Sequence, residues 1–129
     1  MSDYLLDTCT FLWLVEESPR LPKSVRTLFS SADNAVWLSV VSIWEILVKS
    51  ATGALSLPEP AHEYVTRQRI AHRIDSLPLN EDAVIHLSRL PGVHRDPFDR
   101  MLICQALAYG FTILTPDKEI GSYPVKVAW

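Results

Sequence analysis

The sequence predicts an α/β domain in which helices cover both faces of a mostly parallel sheet. Short apolar runs of strand length alternate with longer runs of helical period along the whole chain, which is the pattern of strand–helix–strand units. The run at residues 35–39, Ala-Val-Trp-Leu-Ser, is nearly continuous in apolar character rather than alternating, as in strands buried on both faces. The chain has 129 residues, 48% hydrophobic and 21% charged, which suits one domain with a substantial core, so residues 1–129 are read as a single unit.

In order, Tyr4, Leu5 and Leu6 read as a short buried strand that ends at Asp7. A helix follows over residues 8–16, with Phe11, Leu12, Leu14 and Val15 as its apolar face. Pro22 is placed to open a second helix through Val25, Leu28 and Phe29. Asp33 and Asn34 form a turn before the strand at 35–39. Ser42 opens the next helix, which runs through Glu45 and Lys49 to a stop near Gly53. A proline-marked loop at 57–60 leads to an amphipathic helix around Tyr64, Val65 and Ile70. Residues 73–77 read as a strand near a sheet edge. Residues 80–90 read as a helix capped by Asn80. Asp96 and Pro97 start a helix that reaches Tyr109 and closes at Gly110. Residues 111–115 form a strand, Asp117 follows it, and residues 125–127 form a last short strand.

The composition sets limits on function. The formal net charge is −3, which is not the basic balance of a dedicated nucleic-acid binder, although an enzyme needs only a local basic rim. Cys9 and Cys104 lie in separate apolar runs and read as buried thiols of a reducing compartment. The apolar stretch near the N-terminus lacks a basic leader and is interrupted by Asp7, Thr8 and Thr10. It is too short and too polar to span a membrane, and the expected location is the cytoplasm.

Four acids stand at strand–helix junctions: Asp7, Glu45, Asp99 and Asp117. In a parallel sheet, sites gather beyond the carboxyl ends of the strands. Asp7 and Asp117 follow strands, Glu45 lies early in the helix after a strand, and Asp99 begins a helix that feeds a strand. Topology alone therefore brings them to one rim. Two carboxylates about 4 Å apart repel by roughly 4 kcal/mol at an intermediate dielectric, so a gathered set calls for a cation. Oxygen ligands suit Mg²⁺, and Mn²⁺ accepts the same set. Such a centre points to phosphodiester chemistry. Taken singly, each acid is equally well explained by capping: Ser42 with Glu45, and Asp96 with Asp99, both have the spacing of a capping box. Thr8, Ser42 and Thr115 offer hydroxyls beside the acids, either as supporting hydrogen bonds or as turn and cap bonds. His62, His72, His86 and His94 are dispersed and carry no zinc spacing.

These residues resemble the PIN-domain family, most closely the VapC-type toxins of type II toxin–antitoxin systems. The resemblance rests on Leu6-Asp7-Thr8, on Ser42 to Lys49 (Ser-Ile-Trp-Glu-Ile-Leu-Val-Lys), on His94 to Ile103 with its Arg-Asp-Pro-Phe-Asp-Arg core, and on Leu114-Thr115-Pro116-Asp117. It implies a three-layer α/β/α sandwich with Mg²⁺- or Mn²⁺-dependent endoribonuclease activity. It also implies a cognate antitoxin as partner and a homodimer. Asp7 and Asp99 would be the metal ligands, Glu45 would bind or position a second metal or the water, and Asp117 would complete the catalytic set. Asp96, one helical turn before Asp99, would assist.

An acidic protein that binds RNA needs local positive charge. Arg95 and Arg100 lie near the acids and suit phosphate contacts, with Arg89 in the same group. Arg67, Arg69 and Arg73 read better as a solvated face. Trp13 and Trp44 read as packing residues rather than base-stacking platforms. Two other readings compete: a PIN-fold binding module of little activity that acts through a protein partner, and a phosphoryl-transfer domain. The second is disfavoured because Cys9 stands where a dehalogenase-type pattern places a second aspartate, and the acidic pair of a receiver is absent.

Overall fold

Among the described residues five strands, all parallel, form one sheet in the order β3-β2-β1-β4-β5. The computed structural model describes residues 2–92 and 96–129. The strands are β1 (Ser2–Leu6), β2 (Asn34–Ser39), β3 (Asp75–Leu77), β4 (Thr112–Leu114) and β5 (Val127–Ala128). The helices are α1 (Thr8–Val15), α2 (Lys23–Ser30), α3 (Val40–Ala51), α4 (Ala61–Ala71), α5 (Glu81–Ile85), α6 (Pro97–Tyr109) and α7 (Lys118–Gly121). The predicted sheet with helices on both faces is therefore observed, and β3 lies at an edge as its more polar sequence suggested. No helix among the described residues is long and apolar enough to cross a membrane.

The central strand shows how the sequence divides the core. Successive side chains of a strand point to opposite faces, and Leu5 and Leu6 are both fully buried, each in a different cluster. Leu6 packs with Phe11, Val25, Ile46 and Val65, from α1, α2, α3 and α4. Leu5 packs with Val41, Leu102, Ile103 and Ile120, from α3, α6 and α7. Ile113 and Leu114 of β4 divide in the same way. Each such leucine or isoleucine contributes about 1.5–3 kcal/mol of burial free energy. Helix α3 supplies both clusters, Val41 to one and Ile46 to the other, so it sits at the end of the sheet rather than flat on one face.

Four local readings change. Helix α3 begins at Val40, not Ser42: the Ser39 hydroxyl accepts from Val41 N at 3.0 Å and caps the helix directly off the strand. Ser42 and Glu45 are therefore interior to α3 and form no capping box. Helix α5 is short and passes into a 3-10 turn at His86–Arg89 before Pro91. Asn80 holds the N-cap position as expected, but its side chain makes no cap bond, and its amide donates to the Tyr109 hydroxyl. Ile70 is 65% exposed while Tyr64 and Val65 are buried, because five residues carry it about 140° round the helix from Val65. The short helix α7 after Asp117 was not foreseen.

Candidate active site

The carboxyl end of β1 points Asp7 into the junction with β4. Asp7 N donates to Leu114 O, and the Thr10 hydroxyl donates to the same carbonyl at 3.0 Å, which ties the first turn of α1 to the end of β4. Asp7 is the N-cap of α1. Its Oδ1 accepts from Thr10 N at 2.8 Å and from Cys9 Sγ at 3.3 Å, and its Oδ2 accepts from the Thr115 hydroxyl. The Thr115 oxygen in turn accepts from Asp117 N at 3.0 Å. Asp7, only 4% exposed, is thus held from β1, α1 and β4 together.

Glu45, also 4% exposed, projects from α3 toward the same turn of α1. The Thr8 hydroxyl lies 2.6 Å from Glu45 Oε1 and 3.0 Å from the Ser42 hydroxyl. Thr8 has one proton, and the carboxylate is the stronger acceptor, so Thr8 donates to Glu45 and receives from Ser42. The other oxygen, Oε2, pairs with the Lys49 ammonium one helical turn along. Hydrogen bonding to Glu45 raises the Lys49 pKa above its usual value; burial partly opposes this, and the charges of Glu45, Asp96 and Asp99 add to it.

Helix α6 brings Asp99. Asp96 caps it as expected, with Oδ1 accepting from Phe98 N at 2.9 Å and Asp99 N at 3.1 Å, and Pro97 fits the first turn. Two contacts hold this helix against the rim. Gln105, fully buried, accepts from the Ser39 hydroxyl at the end of β2 and donates to Pro78 O at 3.1 Å beyond β3. Trp44 of α3 packs edge-on against Phe98 with ring centres 4.8 Å apart.

The charge of Asp99 reaches both Lys49 and Cys9. Burial, reinforced by Asp7 and more weakly by Asp99, pushes the Cys9 thiol up to about 12. Asp7, Cys9, Glu45, Lys49, Asp96 and Asp99 therefore share one electrostatic neighbourhood. Asp117 follows β4 on the same rim, with its backbone N–H bonded to the Thr115 hydroxyl, while its Oδ1 accepts from Glu119 N at 2.9 Å to cap α7.

The basic residues divide. Arg100 donates to Pro91 O at 2.7 Å and to the Tyr123 hydroxyl at 3.2 Å. Arg95 and His94 lie outside the described residues. Arg67 pairs with Glu59 and Arg69 donates to Ile74 O, in keeping with a structural, solvated face. Arg73 lines a separate cleft of about 440 Å³ with Asn34, His72 and Asp75 at the amino ends of the strands, away from the acids. Trp44 is 57% exposed and Trp13 stacks edge-on with Trp129, its ring centre 5.9 Å away. Of the residues that touch the acids, Cys9, Thr10 and Lys49 were not assigned to the site from the sequence. The Glu45–Lys49 spacing of four on one helix was the available signal for Lys49.

The donor set fits a hard divalent cation. Asp7 and Glu45 offer buried carboxylate oxygens, and three of roughly four lone-pair positions on Asp7 are used by protein donors. Among the described residues no three His, Cys, Asp or Glu side chains could enclose an ion by themselves. Mg²⁺ does not need that, because it takes one or two carboxylates and keeps several waters.

The PIN domain profile matches residues 4–126, and the chain belongs to the PIN domain family. Solved structures share the fold along nearly the whole chain. VapBC2 from Rickettsia felis, bound to a DNA fragment from its promoter, aligns with a TM-score of 0.76 at 15% identity, covering 98% of each chain. DNA-bound VapBC from Salmonella typhimurium gives 0.70 at 20% identity, covering 99% of this chain and 98% of the other. VapBC-5 from Mycobacterium tuberculosis, a member of the VapBC family of toxin–antitoxin systems, gives 0.58 at 19% identity over 99% and 97%. No curated protein matches the sequence significantly.

Proposed function

We propose that this PIN domain is a Mg²⁺- or Mn²⁺-dependent endoribonuclease, the toxin of a type II toxin–antitoxin pair acting in the cytoplasm. The observation that carries this reading is Asp7: a buried carboxylate at the end of the central strand, braced by Thr10 and Thr115, on the rim that also carries Glu45, Asp99 and Asp117. When bound, the cation would supply Lewis acidity and a water of lowered pKa. Asp7 and Asp99 would hold it. Glu45, fixed by Thr8 and Lys49, would orient a water or a second ion, and Asp117 would complete the set. Thr8, Ser42 and Thr115 keep the carboxylates aimed, and Asp96 keeps the first turn of α6 formed. Arg95 and Arg100 are the proposed contacts to RNA phosphates.

The VapBC assemblies that share the fold support a small antitoxin as partner. A homodimer is supported by the apolar stripe of Val40, Trp44, Leu47 and Val48, exposed on one side of α3. The test is cleavage of structured RNAs by purified protein with Mg²⁺ or Mn²⁺, against Asp7→Asn. Cleavage is expected to fall to background in the variant. Equal cleavage by both proteins would remove the nuclease assignment and leave a binding module.

A further inference from the structure

Lys49 is a positive charge set among the acids by the helix that carries Glu45. Glu45 cannot move away from it: the carboxylate is buried, and Thr8 holds the opposite oxygen. Lys49 can move, since its side chain is 47% exposed on a flexible four-carbon stem. Its field is not confined to Glu45, because Asp96 and Asp99 at the start of α6 also act on it.

We propose that Lys49 is the resident counter-ion of this acid set, and that a divalent cation must compete with its ammonium for the field of Glu45 and Asp99. Lys49 then acts as a positioning residue that sets the metal affinity: it holds Glu45 in place before the cation arrives and swings outward as the cation binds. One ammonium offsets one carboxylate, whereas a divalent ion offsets two, so the exchange is favourable only where several acids converge. This inference rests on the metal-dependent reading of the site, but it is measured without RNA.

The experiment is a titration of the protein with Mn²⁺ alone, followed by the loss of the free-ion electron paramagnetic resonance signal. Wild type, Lys49→Met, Lys49→Gln and Lys49→Arg are compared, each with a thermal melt in chelator. Both neutral variants are expected to bind Mn²⁺ about tenfold tighter, as removal of a half-solvated charge beside the site implies. They are also expected to melt lower in chelator and to recover the loss in saturating Mn²⁺. Lys49→Arg should titrate like wild type. Unchanged or weaker Mn²⁺ binding in the neutral variants overturns the proposal, as does a wild type that binds no Mn²⁺. A purely structural lysine would give weaker binding, the opposite sign. Failure of the nuclease reading appears separately, as equal RNA cleavage by wild type and Asp7→Asn.

Discussion

At the residue scale, Asp7 is both the cap of α1 and the proposed metal ligand. Taken singly, each acid was as well explained by capping, and the spacing of Ser42 and Glu45 suggested a capping box at the start of α3. In the structure Asp7 is the cap and Glu45 is not. Asparagine caps as well as aspartate, so Asp7→Asn should leave the metal-free melting temperature nearly unchanged, while Asp7→Ala should lose about 1 kcal/mol by chemical denaturation. Cys9 gives a pH signature. Its thiol pKa is raised from 9.0 to about 12, so the folded state favours the protonated form. The associated stability is intact below the unfolded value and is lost as pH rises toward the folded one. Alkylation of Cys9, followed by peptide mass mapping, should stay slow in folded protein at a pH where the unfolded chain reacts readily. Asp7→Asn should speed it, because the negative charge beside the thiol is removed.

At the element scale, the helix starts decide the site. Asp99 belongs to the rim only because Asp96 and Pro97 begin α6 where they do, and that start was legible: a capping aspartate, a proline in the first turn and Gly110 at the end. The start of α3 was misread by two residues because Ser39 and Ser42 are both good caps. What separates them is the strand: Ser39 is the last residue of β2 and keeps the extended backbone that a cap requires, whereas Ser42 is already helical. The pairing of Ser39 with Leu77 of β3 that keeps it extended is tertiary and invisible in local composition. Lys49 was missed for a similar reason, since its spacing from Glu45 is a common surface pattern until burial of the glutamate is known. Asp96→Ala should cost about 1 kcal/mol by loss of the cap and should loosen the first turn of α6. Faster amide exchange at Phe98 and Asp99, with little change at Leu102 and Ile103, would register it.

At the scale of the whole molecule, two apolar layers on either side of the sheet account for the core, and the stripe on α3 is left over. Val40, Trp44, Leu47 and Val48 recur at helical spacing on the exposed side of α3. If this face joins two copies, Leu47→Asp should shift the protein from dimer to monomer in sedimentation analysis while leaving the fold intact by circular dichroism. The alternation of strands and helices made the sheet readable, and the parallel topology made the common rim readable. Thr8, Ser42 and Thr115 were readable as hydroxyls beside the acids, but which carboxylate each one braces was not, because those bonds join positions far apart in the chain.

That distance bears on how the protein is made. Thr115 and Asp7 hydrogen-bond across 108 positions, and the strand that carries Asp7 lies between partners that follow it in the chain. During synthesis β1 emerges before β4, so one of its edges stays unpaired and Leu5 lacks its cover from α6 until those segments follow. Closing so long a loop comes late in folding. A ribosome-bound chain that has not yet released Thr115 lacks the brace on Asp7, so the acidic rim is completed only after β4 has emerged.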